Sequence, residues 1–131
     1  MCQNRDMPIS VTVDHEAQLV RSVATGQVTF QDTWGYHEAL VLADALPYAK
    51  LMDATGATFV HNDEEIMRLG ARVSAYGDVK NRGPVAVVAR NQEQHTMLRR
   101  YFNLTGGAFP TGIFGTEFEA RAWLRELGKG S

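Results

Sequence analysis

Pro84 is followed by five apolar residues in a row, Val85-Ala86-Val87-Val88-Ala89. The run is too short for a helix of ordinary length, and neither of its alternating faces carries a polar side chain. That is the pattern of a strand covered on both faces, which belongs to a parallel sheet with helices packed above and below it. Parallel neighbours cannot be joined by tight turns, so the chain must supply a crossover helix between successive strands.

The flanking sequence supplies them. Ile9, Val11 and Val13 alternate with Ser10, Thr12 and Asp14, the period of a half-buried strand. Asp14-His15-Glu16 reads as a turn into a second strand from Leu19 to Thr25, ended by Gly26, so the chain opens with an antiparallel hairpin. Thr29 with Asp32 three residues on imitates a capping box. Phe30, Trp34, His37, Val41 and Ala45 then fall on one helical face, and Pro47 is the expected stop.

Lys50 to Ala54 reads as a short strand centred on Leu51 and Met52, followed by a loop from Thr55 to His61. Asn62 or Asp63 caps the next helix, with Glu64 and Glu65 in its first turn, where the dipole favours carboxylates. Its buried stripe is Ile66, Leu69, Gly70, Val73 and Tyr76, and Asp78 to Gly83 is a polar loop. After the apolar run, Asn91 caps a helix with Gln94 in the capping-box position and Met97, Leu98, Tyr101 and Phe102 as its apolar face; Gly106-Gly107 ends it. Thr111 to Phe114 is a last short strand, and Thr116 with Glu119 opens a helix that buries Ala120, Trp123, Leu124 and Leu127 before Gly128.

These elements predict an α/β fold in a single domain: a mixed, mainly parallel five-stranded sheet with an N-terminal antiparallel hairpin and four helices. The domain is expected over residues 9–127, with a loose extension over 1–8, where Met7 could be an alternative start, and a frayed tail over 128–131. A chain of 131 residues with 44% hydrophobic and 21% charged side chains can bury a core without staples and is not disordered in composition. Cys2 is the single cysteine, which excludes an internal disulfide and a cysteine-based zinc site and suits a reducing compartment. The net charge of −2 and pI near 6.1 argue against a nucleic-acid partner. No apolar run approaches the ~20 residues of a membrane span, and Met1 to Ser10 has no apolar leader core, so the expected address is the cytoplasm.

Ligands of open parallel sheets bind beyond the carboxyl ends of the strands, beside helix N-termini. That edge gathers Asp53, Thr55, Thr58, His61, Asn62 and Asp63 from one loop and Arg90, Asn91 and Gln92 from the next, making it the candidate surface for a small ligand or a protein partner. Capping alone accounts for Asp63 and Asn91. His15, His37, His61 and His95 have no metal-ligand spacing, so no metal is expected. Gly106-Gly107 follows a helix, the wrong context for a phosphate cradle, and no nucleophile-base pair stands out, so no cofactor and no catalytic residues are expected. Arg68 and Arg72 read as a solvated face balanced by Glu64 and Glu65, and Phe30, Trp34, Tyr101, Phe102 and Trp123 as mostly core.

The hairpin to Gly26 and Thr29, the segment Leu51-Met52-Asp53-Ala54-Thr55-Gly56-Ala57-Thr58-Phe59, the strand Val85 to Ala89 and the closing Phe114-Gly115-Thr116-Glu117-Phe118-Glu119-Ala120-Arg121-Ala122-Trp123-Leu124 occur in that order. Together they resemble the STAS superfamily, the anti-sigma-factor antagonist-like fold, and most of all its small bacterial STAS-like or CRAL-TRIO-like proteins. The resemblance spans Ile9 to Leu127 and implies a non-enzymatic regulatory or protein-interaction domain. The antagonists carry a phosphorylated serine at the start of the helix after the third strand. Matching Asp53, Gly56 and Phe59 to the family pattern puts His61-Asn62-Asp63-Glu64 there, with Asp63, or Asn62 after a one-residue slip, in place of the acceptor. The phosphoserine switch is therefore expected to be missing. The alternative is a small-molecule or lipid carrier by analogy with CRAL-TRIO domains, and the first strand, as a sheet edge, suggests a homodimer.

Overall fold

The computed structural model describes residues 8–76, 82–104 and 109–129. In chain order the elements are β1 Ile9–Asp14, β2 Leu19–Thr29, α1 Phe30–Leu42, β3 Ala49–Val60, α2 Asp63–Tyr76, β4 Val85–Val88, α3 Gln92–Leu104, β5 Thr111–Phe114 and α4 Glu117–Lys129. The five strands lie in sequence order, β1 antiparallel to β2 and every later pair parallel. Three crossovers advancing in one direction, each right-handed, put their helices on the same side of a sheet. The core reflects this. Val20, Ala24, Val28, Met52, Ala54 and Val87 pack on the α1–α3 side, while Leu51, Ala86 and Val88 meet Ala120, Trp123 and Leu124 of α4 on the other. β4, with a partner on each side and both faces covered, is the strand the apolar run predicted.

The strand lengths differ from the expectation. β2 runs through Gly26 to Thr29, and β3 continues through the expected Thr55–His61 loop to Val60. Beyond the ends of β1 and β4, the two pair only with each other, from Thr25↔Gly56 to Thr29↔Val60. The register slips by one residue between Val23↔Asp53 and Thr25↔Gly56, a bulge in β3. Glycines and threonines at this bulge imitate a loop in the sequence.

The buried side of α1 is rotated from the expected stripe: His37 and Leu40 are buried and Val41 is exposed. α1 ends at Leu42, and Pro47 lies beyond its end and does not stop it. The Thr29–Asp32 capping box forms as expected, Asp32 Oδ2 accepting from Thr29 N at 2.8 Å and Thr29 Oγ1 from Asp32 N at 3.3 Å. Arg68 is exposed, as expected of a solvated face, but Arg72 is half-buried. Their guanidinium carbons sit 4.9 Å from the Phe30 ring and 3.7 Å from the Trp34 ring, holding α2 against the outer side of α1, and Phe30 and Trp34 are half-buried beneath them. α2 and α3 meet at Gly70, where a Cβ would come within 2.8 Å of Leu104 Cβ, so a larger residue would push the helices apart. Helix α4 passes Gly128 and reaches Lys129. The N-terminal extension, most of the Asp78–Gly83 loop and Gly106-Gly107 lie outside the described residues.

Candidate functional site

The expected site residues fall into three groups around the carboxyl ends of β3 and β4. The first is the β3 bulge. Asp53 Oδ1 accepts from Thr55 N at 3.0 Å and from Thr55 Oγ1 at 2.7 Å. From the α3 side, Arg90 Nε donates to Thr55 O at 3.0 Å, and Gln94 Nε2 to Thr55 O at 3.1 Å and to Ala57 O at 2.8 Å. Gln94 Oε1 accepts from Arg90 N at 2.6 Å, and Asn91 Oδ1 accepts from Gln94 N at 2.9 Å, which caps α3. The expected capping-box partner is thus present but bonds Arg90, one residue before the cap. Buried Gln94 satisfies bulge carbonyls that no sheet ladder can reach. Thr58 lies exposed beyond the bulge, apart from this cluster.

The second group starts α2. Asn62, not Asp63, is the cap: Asn62 Oδ1 accepts from Glu65 N at 2.8 Å, and Glu65 Oε1 from Asn62 N at 3.0 Å. Asp63 is the first helical residue and pairs with Arg100 of α3. One turn on, Met67 is 64% exposed, and Leu104, one turn beyond Arg100, is exposed as well. Asp63–Arg100 and Met67 therefore form a mixed charged and apolar surface across α2 and α3.

His61 belongs to neither. Its Nε2 lies 3.1 Å from Thr33 Oγ1, and its ring lines a cavity of about 90 Å³ between the sheet and α1–α3. Burial pulls the His61 pKa down, with Glu65 and Asp32 partly opposing it. Deeper on the same wall stand groups the sequence reading did not select. Lys50 is only 2% exposed and donates from Nζ to Leu46 O at 2.6 Å and Tyr48 O at 2.7 Å. Burial, aided by the Arg82 guanidinium, pushes its pKa down to about 7. His37 Nε2 lies 2.7 Å from Tyr101 Oη. Burial, reinforced by the charges of Arg82, Arg72 and Lys50, holds it neutral with a pKa near 3. Burial raises Tyr36 to about 12. Gly83 shapes this region, because a Cβ there would sit 2.2 Å from Tyr48 O. The chain leaving Arg82 therefore runs directly against the Pro47–Tyr48 backbone, and Gly83 N donates to Leu46 O at 3.0 Å.

The signal for these groups was present but weak. Lys50 shares strand parity with Met52 and Ala54, so it sits on the buried face. His37 lay on the apolar face already read for its helix. On the opposite side of the sheet, α4 leaves the β1–β2 end uncovered. An open polar groove of about 250 Å³ runs there past Ser10, Thr12, Arg21 and Asp53, with Glu117 bonded to Arg21 at 3.3 Å.

No protein-family model matches the chain, and no curated protein sequence does. Among solved structures it is similar to an uncharacterized protein of the DUF3478 family with a SpoIIAA-like fold from Shewanella loihica PV-4. The two share 18% identity and superpose with a TM-score of 0.59 over 88% of this chain and 93% of that one. No helix among the described residues is long and apolar enough to cross a membrane. Strand order, the initial hairpin, the three crossovers on one face and this superposition agree: the chain has the SpoIIAA-like, STAS-type α/β fold.

Proposed function

We propose that the protein is a non-enzymatic regulatory or protein-interaction module whose contact surface is the start of α2 with the adjoining face of α3, and that this surface is constitutive. The observation that carries the reading is the α2 N-terminus itself. Asn62 and Glu65 satisfy each other's backbone groups, and Asp63 is paired with Arg100, beside exposed Met67. No hydroxyl stands at the position where the antagonists carry their serine, and Asp63 supplies a single charge where a phosphate would supply about −1.5 to −2. An apolar side chain beside a charged pair suits a partner with a small hydrophobic anchor and a polar rim. The cavity counts against the lipid-carrier alternative, since about 90 Å³ is well below the ~300 Å³ of pockets for larger ligands.

The test is a photo-reactive residue in place of Met67, with cross-linking in the native host and mass spectrometry of the products. A discrete partner whose capture falls about tenfold or more on Arg100→Glu supports the reading, since a rim ion pair beside the anchor tunes encounter and fit. Equal capture by that variant would contradict it. A homodimer through β1 is part of the same proposal. β1 is the sheet edge, and unpaired edges recruit partners. Light scattering that gives only a 14.5 kDa species across the micromolar range would remove it.

A further inference from the structure

Lys50, on the wall of the cavity between the sheet and α1–α3, has hydrogen bonds that suit a neutral amine. Such an amine has two N–H groups and one lone pair. Both N–H groups are satisfied by backbone carbonyls, Leu46 O at 2.6 Å and Tyr48 O at 2.7 Å, which leaves the lone pair the remaining tetrahedral direction. With the pKa lowered from 10.5 to about 7 by burial and by the Arg82 guanidinium, about half of the molecules hold that lone pair free at neutral pH. For an ordinary lysine the share is roughly one in three thousand. One of the two N–H bonds can also be given up. Leu46 O accepts from Gly83 N at 3.0 Å as well, so it keeps a donor if the amine loses the proton aimed at it. A buried amine that is largely unprotonated and can release a proton without baring a carbonyl is a nucleophile.

Its electrophile has to fit the space and to cross the apolar part of the wall. By proportion with the ~150 Å³ cavity that takes the six carbons of benzene, about 90 Å³ holds roughly three non-hydrogen atoms. Met52, Ile66 and Leu98 on the wall favour an uncharged molecule. Carbon dioxide meets both conditions: it is triatomic, uncharged and electrophilic at carbon. Its adduct with an amine is an anion, and the polar part of the wall suits one. The positive charge of Arg82 acts on Tyr36, His37 and Lys50 alike. His37 Nδ1 is buried with no hydrogen-bond partner among the described residues. When the Tyr101 hydroxyl, 2.7 Å away, donates to Nε2, the neutral ring carries its proton on Nδ1, so a buried donor is left without an acceptor.

We propose that Lys50 is a site of reversible carbamate formation with carbon dioxide. The Nζ lone pair forms an N–C bond to the carbon, one C–O π bond breaks, and its electron pair goes to that oxygen. The proton aimed at Leu46 O leaves to solvent. Lys–NH₂ and CO₂ thus become Lys–NH–COO⁻ and H⁺, with no oxidant or cofactor. The remaining N–H stays on Tyr48 O, Gly83 N stays on Leu46 O, and the new oxygens take the His37 N–H within the field of Arg82. His61 and Tyr101 are the other titratable groups on the wall besides Tyr36, and neither has to change its protonation in this step. The site lies inside the domain, so it and the surface assigned above can fail separately.

The experiment uses the full chain with Lys80→Arg and Lys129→Arg, which leaves Lys50 as the only lysine. Its lysine nitrogen is isotope-labelled, and the protein is equilibrated with carbon dioxide labelled at carbon. In the carbon NMR spectrum a carbamate on Lys50 is split by the labelled nitrogen, whereas one on the Met1 amine is not. The expected result is a split signal that saturates with carbon dioxide pressure and is more than tenfold stronger in the folded chain than in the chain unfolded in guanidinium chloride, where the amine returns to its ordinary pKa. Lowering the pH from 7 to 6 at fixed pressure is expected to cut the ratio of carbamate to free Lys50 by more than tenfold, because the amine becomes protonated and the reaction itself releases a proton. If the substituted chain does not fold, the folded-to-unfolded comparison in the natural chain decides. No split signal, a split signal equally strong in the folded and unfolded chains, or one indifferent to pH would each overturn the proposal.

Discussion

Replacing Lys50 by Met removes a charge from the interior while keeping the length of the side chain, and its effect on the pH dependence of stability follows from the structure. Lys50 is buried in β3, and its pKa falls from 10.5 to about 7. Between those values the unfolded chain carries a proton that the folded chain lacks. Stability therefore rises with pH through this window, and below pH 7, where both states are protonated, the whole burial penalty is present. From pH 7 to pH 9 the rise amounts to about 2 kcal/mol, because the folded amine goes from half-charged to neutral while the unfolded one stays charged. Neither His37, near 3, nor Tyr36, near 12, titrates in that interval. Urea unfolding of the natural chain and of Lys50→Met at both pH values, read by the fluorescence of Trp34 and Trp123, measures the difference directly. The variant is expected to lose the rise, whatever its absolute stability. Parallel pH profiles for the two proteins would refute the reasoning, because they would mean that the ammonium is hydrated in the folded state.

Other expectations follow from the same structure. Gln94→Leu removes three hydrogen bonds around the β3 bulge and leaves the buried Ala57 carbonyl without its side-chain donor, so it is expected to destabilise by about 2–3 kcal/mol in urea unfolding. Asn62→Ala is expected to cost about 1 kcal/mol as the loss of a cap, and Asp63→Ala, at an exposed ion pair, less than about 0.5 kcal/mol. The opposite ranking would return the cap to Asp63. Acid should also act through His37, whose folded pKa near 3 lies below the ordinary 6.5. As pH falls from 6.5 toward 3 the unfolded chain binds a proton that the folded chain refuses, so stability drops by at most about 1.4 kcal/mol per unit. Relative to the natural chain, His37→Gln should lose that slope in acid titrations.

The element order and sheet topology were legible because the period-two and continuous apolar runs, the caps at Thr29, Asn91 and Thr116, and the turn at Asp14 all agreed with one another. The length of β3 was not legible. Its bulge needs Thr55 and Gly56, which read as loop residues, and what keeps the chain extended there is Gln94, distant in sequence but adjacent in space. The α1 stripe was misread because arginine–aromatic stacking holds Phe30 and Trp34 at the α2 boundary, outside the core proper. The polar cavity wall was missed for a related reason. A lysine at the start of a strand reads as a boundary, and only the pairing of Lys50 with Val20 and Val85 reveals that it lies inside.

The constitutive surface is tested most directly on protein purified from its native host, by intact mass and by peptide mapping of the segment from Asp53 to Glu65. Within that segment the hydroxyls are Thr55, tied to Asp53, and exposed Thr58. The expected result is an unmodified mass and partner binding indifferent to phosphatase treatment. A stoichiometric phosphate on Thr55 or Thr58 whose removal changes partner binding would contradict it and restore a phosphorylation switch.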